Sequence, residues 1–429
     1  MISFRGVGAP NRAREILTVQ TPTAHDAYAA FRIPAYRRYF SGSLVFILGL
    51  QMLNVAVGWE MYERTGSALN LGLVGLVQFI PQLVFVGVAG HITDIYNRKH
   101  VLMAAVSLSA VVALVLALNA AVKGPIFLMY ACLFAAGTAR GFWMPARSAL
   151  LPRIVPLSIF SNAVSWNTSG FEISSFVGPA IGGFLIHYLG VTAVYVVTAA
   201  LMTCFVLLLF WISYRHEPPA QSALTLSSLL AGARFIWKTK VVLSVMCLDM
   251  FGVLLGGATA LMPIYAKDIL HVGANGLGWL LAAPSAGAFT SALIQAHRGP
   301  LRRAGRTILL AVVGFGAATI VFGISKSFPL SLAMLFALGV CDNISVVVRS
   351  TLIQTSTPDD MRGRVSALNG LFIGTSNQLG GFESGAVANL AGPVASVVLG
   401  GIGTIMVAGI TAWLSPSLRQ YGRLGGNTS

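Results

Sequence analysis

Charge is what this sequence has least of. Only 10% of its 429 residues are Asp, Glu, Lys or Arg, and 56% are hydrophobic. A soluble domain carries about 25% charged residues. A chain this apolar would aggregate in water, so lipid must be the solvent for most of it. Cysteine is scarce too, and Cys132, Cys204, Cys247 and Cys341 each lie inside an apolar run. That placement builds neither a structural disulfide nor a zinc site. His91, His187, His271 and His297 fall singly near the ends of apolar runs, so no metal is expected. The first 40 residues are polar and Arg-containing and lack the apolar core of a cleaved signal. Enzyme motifs are missing as well. There is no Gly-rich phosphate loop ending in Lys-Ser or Lys-Thr, no nucleophile elbow and no His-Glu-x-x-His. The expectation is a non-enzyme without a cofactor, driven by an ion gradient, taken as a proton gradient.

What the chain has is long apolar runs. A spanning helix needs about 20 mostly apolar residues, and twelve segments qualify: 39–62, 69–92, 100–121, 126–147, 163–189, 191–212, 241–264, 276–296, 306–326, 328–348, 365–391 and 393–414. The fold class expected is an all-α membrane protein of two pseudo-symmetric six-helix bundles. The net charge of +15 is spread between these runs rather than gathered on one water-exposed face. It therefore points to membrane topology and not to nucleic acid. With the N-terminus in the cytoplasm, twenty-three Lys and Arg fall on cytoplasmic segments and four (Arg64, Lys123, Lys267 and Lys326) on the outer side. That bias sets the orientation and puts both termini inside a bacterial inner membrane.

Five regions follow: a cytoplasmic tail over 1–38, a first bundle over 39–213, a linker over 214–240, a second bundle over 241–414 and a tail over 415–429. Within the linker, Leu224, Leu226, Leu229, Leu230, Phe235 and Ile236 stand among polar residues, as in an amphipathic helix lying on the membrane surface. The halves echo each other at an offset of 202 residues. Arg147-Ser148-Ala149-Leu150 returns as Arg349-Ser350-Thr351-Leu352, Pro156 meets Pro358, and Gly178 meets Gly380. Parallel six-helix repeats are the plan of one large class of secondary transporters.

The loop Gly90-His91-Ile92-Thr93-Asp94-Ile95-Tyr96-Asn97-Arg98-Lys99 resembles the signature loop of the major facilitator superfamily. Ile95 stands where a basic residue is usual there, and Asn97 where Gly is usual. Gly90 is expected to let helices approach closely. Asp94 is expected to meet a helix N-terminus, and Asp94, Arg98 and Lys99 to latch the cytoplasmic side. Gly178-Pro179-Ala180-Ile181-Gly182-Gly183 is similar to the Gly-Pro motif of that superfamily's exporters and antiporters, though Ser174, Gly178 and Gly182 also form a stripe that packing alone would explain. Arg140 occupies the place of the superfamily's intramembrane arginine. The stretches Gly58–Ser67, Thr357–Val365 and Ser376–Gly385 look like the bacterial enterobactin-exporter branch. The resemblance implies alternating access around a central cavity lined by the first, fourth, seventh and tenth helices. It implies export of a small organic molecule, a siderophore or drug-like compound, by a chain that works as a monomer.

An ionisable side chain at bilayer depth costs roughly 2.5–3.5 kcal/mol or more. This sequence keeps Arg140, Glu172, Asp249, Asp342 and Glu383 within spans and Glu60 near an outer end. Such groups are tolerable only against a wet cavity or one another. Arg140 and Asp342 are separated by the repeat offset and are expected at equivalent depths, in a polar cluster or a static ion pair. Asp249, Asp342 and Glu383 are the proton-site candidates. An uptake permease and a non-transporting sensor or assembly factor stand as alternatives. Substrate flux direction, and the effect of Asp249→Asn with Asp342→Asn, would separate them.

Overall fold

The computed structural model describes residues 26–213, 226–297 and 303–422. Among these the chain is helical throughout, with no strand. The helices are α1 (Pro34–Thr65), α2 (Ala68–Ile95), α3 (Arg98–Ala121), α4 (Ile126–Ile154), α5 (Phe160–Phe210), α6 (Leu226–Lys238), α7 (Lys240–Leu255), α8 (Met262–Ile264), α9 (Gly273–His297), α10 (Ala304–Ile324), α11 (Phe328–Ser356), α12 (Arg362–Ala391), α13 (Pro393–Leu414) and α14 (Pro416–Arg419).

Local chemistry sets the boundaries. Pro34 opens α1, where a missing N–H leaves no bond unmade. Ser67 caps α2 by accepting from the Asn70 amide, and Asn97 caps α3 by accepting from the Lys99 amide. α5 is 51 residues long and holds two spans, because Gly190 breaks its ladder with φ 80° and ψ 169°. Gly392, between α12 and α13, has φ 89° and ψ 157°. The two glycines are 202 residues apart, so the sequence repeat returns as the same left-handed backbone turn. Only glycine adopts that conformation freely.

Ten stretches of the described chain are long and apolar enough to cross a membrane, the stretch through α5 being one of them. Counting that stretch twice at Gly190, and adding α12, gives twelve passes. α12 is less apolar than the other spans because it carries Asn369, Asn377, Gln378, Glu383 and Asn389. The seventh span is discontinuous. α7 ends at Leu255, a 3-10 turn follows over Ala258–Leu261, and α8 and a π turn complete the crossing to Ile269. The tenth span runs to Ser356, eight residues beyond the 328–348 expected, which draws Arg349 out of a loop and into a helix. α6 lies in the linker, with Gly232 against Arg364 and Leu368 of α12, while 214–225 lie outside the described residues.

In the first half α1 packs on α5, α2 on α4, and α3 on α4 and α5. In the second, α7 packs on α12 and α13, α9 on α11, and α10 on α11 and α13. The halves meet along α5 with α9 and along α2 with α12. Both seams are glycine on glycine. A Cβ at Gly183 would lie 2.7 Å from the Gly278 Cα, and one at Gly385 would lie 2.7 Å from the Gly72 Cα. Gly183 and Gly385 are again 202 apart, so one contact is built twice. Both seams lie toward the end bearing Arg64, Lys123, Lys267 and Lys326. At the opposite, Arg- and Lys-rich end the halves part. Ser165, Thr168 and Ser169 of α5 and Ser366, Leu371 and Phe372 of α12 are exposed there, and a Cβ at Gly370 or Gly374 would meet nothing within 4 Å.

Candidate functional site

Between the halves, on the basic side of the glycine seams, lies a cavity of about 420 Å³. Gln51 of α1 and Phe171, Glu172 and Ser175 of α5 line it from the first half. Gly256, Gly257, Thr259, Phe315, Asp342, Asn343 and Asn377 line it from the second. The break in the seventh span is thus at the cavity wall, where water can satisfy the freed backbone groups. Gln51 donates to Ser175 Oγ at 3.0 Å, and Gln295 donates to Asn343 Oδ1 at 3.0 Å, so two amides are held in place. Glu172 and Asp342 differ. Neither accepts a hydrogen bond or an ion pair from a described residue, and Asp342 lies within reach of the charge on Glu172.

The expected cluster of Arg140 with Asp342 is not formed. Arg140 lines a separate, water-sized cavity inside the first half with Asn54, Gln78, Ser109 and Trp143, and its Nε has no partner. Equal depth in two pseudo-symmetric halves does not bring the side chains together, because Arg140 faces the interior of its own bundle while Asp342 faces the space between the halves. Asp249 is paired instead with Arg349, inside the second half, with the two side chains 9% and 4% exposed. Reading the tenth span as ending at 348 hid that partner. The repeat of Arg147 by Arg349 was the available signal. A second small cavity, lined by Asp249, Ser345 and Thr404, lies beside the central cavity and shares Val253, Phe315 and Asp342 with its wall.

Glu60 is 4% exposed and held by two partners. Arg64 donates to it at 3.1 Å and the Tyr195 hydroxyl at 2.6 Å, near the far end of α1 and outside the lining of the central cavity. Glu383 lies in α12 beyond the cavity lining, with Ser384 Oγ 3.5 Å away.

Of the loop residues, Lys99 donates to the carbonyls of Phe210 and Ile212 at 2.9 and 2.8 Å, at the negative C-terminal end of α5. Arg98 is buried, and its Nε and Nη1 lack partners. The Asp94 side chain lies outside the described residues. The close approach expected at Gly90 is absent, since a Cβ there would meet nothing within 4 Å; the halves are parted at this end. The small-residue stripe of α5 does pack. Ser174 donates to Leu44 O, a Cβ at Gly178 would lie 2.6 Å from Gln51 Cβ, and one at Gly182 would lie 3.2 Å from Met52 Cα. Gly183 points the other way, across the seam.

At the far end, the Tyr62 hydroxyl of the first half donates to Asp268 of the second, and the Lys267 ammonium sits 5.7 Å from the Tyr62 ring centre. Sequence reasoning had not singled out either partner.

Solved transporters share this architecture. A bacterial homologue of the lysosomal transporter Spinster, in an inward-facing and occupied conformation, superposes with a TM-score of 0.71 over 92% of this chain and 99% of its own, at 13% identity. A POT family transporter in complex with 5-aminolevulinic acid gives 0.70 over 89% and 96%, at 11% identity. Among characterised sequences, the enterobactin exporter EntS of Citrobacter koseri is 29% identical over 396 residues, which is 90% of this chain and 93% of that protein. The EntS of Shigella boydii serotype 18 is 28% identical over the same spans. The family model of the Major Facilitator Superfamily matches residues 39–382, from the first span into the eleventh. With two six-helix halves around one central cavity and that match across most of its length, the chain belongs to the Major Facilitator Superfamily.

Proposed function

We propose that this protein is a proton-coupled exporter of a small organic molecule, a siderophore or drug-like compound, working as a monomer in a bacterial inner membrane. The carrying observation is the central cavity with Glu172 on one half and Asp342 on the other, both without a partner among the described residues. A carboxylate facing a cavity between two moving halves can take a proton on one side of the membrane and release it on the other. The relatives named as enterobactin exporters support export as the direction.

The distribution of Arg and Lys supports a cytoplasmic basic end, so the conformation described is open to the cytoplasm and closed outside by the two glycine seams. Alternating access then requires Gly183 to part from Gly278 and Gly72 from Gly385 while the basic ends of α5 and α12 close. The repeat symmetry of the seams, one contact built twice, lets the halves rock as rigid bodies. The Asp249–Arg349 pair lies one small cavity away from Asp342 and is the next charged station inward.

The test is transport in inverted membrane vesicles loaded with a pH-sensitive dye. After energisation, a panel of catechol siderophores and cationic dyes is added. A compound that collapses the proton gradient, with no response in Asp342→Asn, is the expected result. No response to any compound by a folded protein would sink the reading.

A further inference from the structure

We infer that the central cavity selects organic cations, a positively charged head on an aromatic or apolar body, over anions of the same size. The inference rests on the transport reading and names the substrate class of that same site.

Three features of the cavity wall agree in sign. Glu172 and Asp342 face it from opposite halves, and neither is neutralised by a described Lys, Arg or hydrogen-bond donor. No basic residue is among the described lining residues; Arg349 is paired with Asp249, and Arg140 lines a separate cavity inside the first half. Third, α7 is a sixteen-residue helix that ends at the cavity wall with Gly256 as its C-cap, so it turns the negative end of its dipole toward the space. A negative charge placed there would meet three repulsions and no opposite charge from a described lining residue. An uncompensated carboxylate pair in a low-dielectric space is unfavourable until something positive arrives. Protons can do that, and so can a substrate head group. Because the carboxylates stand on opposite halves, a cation between them attracts both halves at once, while the proton it displaces leaves with the gradient.

The rest of the wall fits the body of such a molecule. Phe171 and Phe315 offer aromatic faces to a cation or a ring. The volume of about 420 Å³ is within the range that encloses drug-sized ligands. Gln51 and Asn343, held by Ser175 and Gln295, supply a few placed polar groups without adding charge.

Two probes of nearly the same shape and opposite charge make the test direct: tetraphenylphosphonium and tetraphenylborate. Binding of each to the purified full chain in lipid nanodiscs is measured by equilibrium dialysis, with empty nanodiscs subtracted. The expected result is saturable phosphonium binding at least about tenfold tighter than borate binding, as one partly screened charge pair provides. Glu172→Gln with Asp342→Asn should remove the preference. The charge-conserving Glu172→Asp with Asp342→Glu should keep it, which separates lost charge from lost fold. Equal affinities, a borate preference, or a phosphonium preference that survives neutralisation would each overturn the inference. If in those cases the vesicles still exchange protons for a neutral or anionic compound, the transport reading stands and only the substrate class falls.

Discussion

Arg349 of α11 and Asp249 of α7 form an ion pair inside the second half, with less than a tenth of either side chain exposed. Taking one partner away leaves the other charged and unpaired, which costs about 3–5 kcal/mol in buried pairs. Arg349→Ala is therefore expected to lower the melting temperature of the purified protein sharply, and Asp249→Ala likewise. Replacing both at once, as Asp249→Leu with Arg349→Met, should recover most of that stability, since apolar isosteres of buried pairs are often neutral or better. The double variant should still fail to transport, because the small cavity beside Asp342 loses the Asp249 carboxylate from its wall. A stable double variant that transports normally would make the pair a static strut.

The glycine seams make a second prediction. With a Cβ at Gly183 only 2.7 Å from the Gly278 Cα, Gly183→Val cannot keep the outer end shut. The seam closes one end of the space between the halves, so the substitution should shift the population toward a form parted at that end rather than unfold the chain. Spin labels at Lys123 and Lys326, both exposed at the outer end of different halves, should report a longer distance. Gly385→Val, its counterpart in the repeat, should act in the same direction. An unchanged distance in both would remove the seams from the gating motion.

Tyr62 and Asp268 tie the same end together by one charge-assisted hydrogen bond. Such bonds contribute roughly 1.5–3 kcal/mol. Tyr62→Phe keeps the ring and its contact with Lys267 but removes the donor. The expected effect is a partial shift in the same label distance, smaller than that of Gly183→Val, with little change in melting temperature. A large stability loss would mean that the hydroxyl supports the fold and not the gate.

Much of the fold was legible because bilayer physics constrains few variables. Length, apolarity and the placement of Arg and Lys give the spans. The offset of 202 that pairs Arg147 with Arg349 also pairs Gly190 with Gly392 and Gly183 with Gly385. The break in the seventh span was not legible, since Gly256-Gly257 in an apolar run looks no different from a packing pair. The site was legible as a set of charges but not as partners. Partner choice depends on helix rotation, and Arg349 reaches Asp249 because α11 continues past the apolar stretch that ends at 348. Glu60 shows the same gap. Its carboxylate is matched by Tyr195, 135 positions away, which no local pattern announces.

Two carboxylates, Glu60 and Asp342, should respond in opposite ways to the same isosteric change, and that contrast is the sharpest check on the division between frame and site. Glu60 accepts from Arg64 and Tyr195 in a buried setting. Glu60→Gln keeps the shape but weakens two charge-assisted bonds, so the melting temperature should fall by several degrees while the remaining folded protein still exchanges protons for substrate. Asp342 has no partner to disappoint, and it faces the like charge of Glu172. Asp342→Asn removes a repulsion and leaves no orphaned donor, so stability should hold or rise. Transport should vanish nonetheless, because an amide cannot carry a proton across. Both readouts come from one preparation of each variant: a thermal melt in detergent and a pH-dye assay in vesicles. If Glu60→Gln stopped exchange at full stability, the proton path would have to run along α1 toward the outer end. If Asp342→Asn still exchanged, Glu172, Asp249 or Glu383 would have to carry the proton instead.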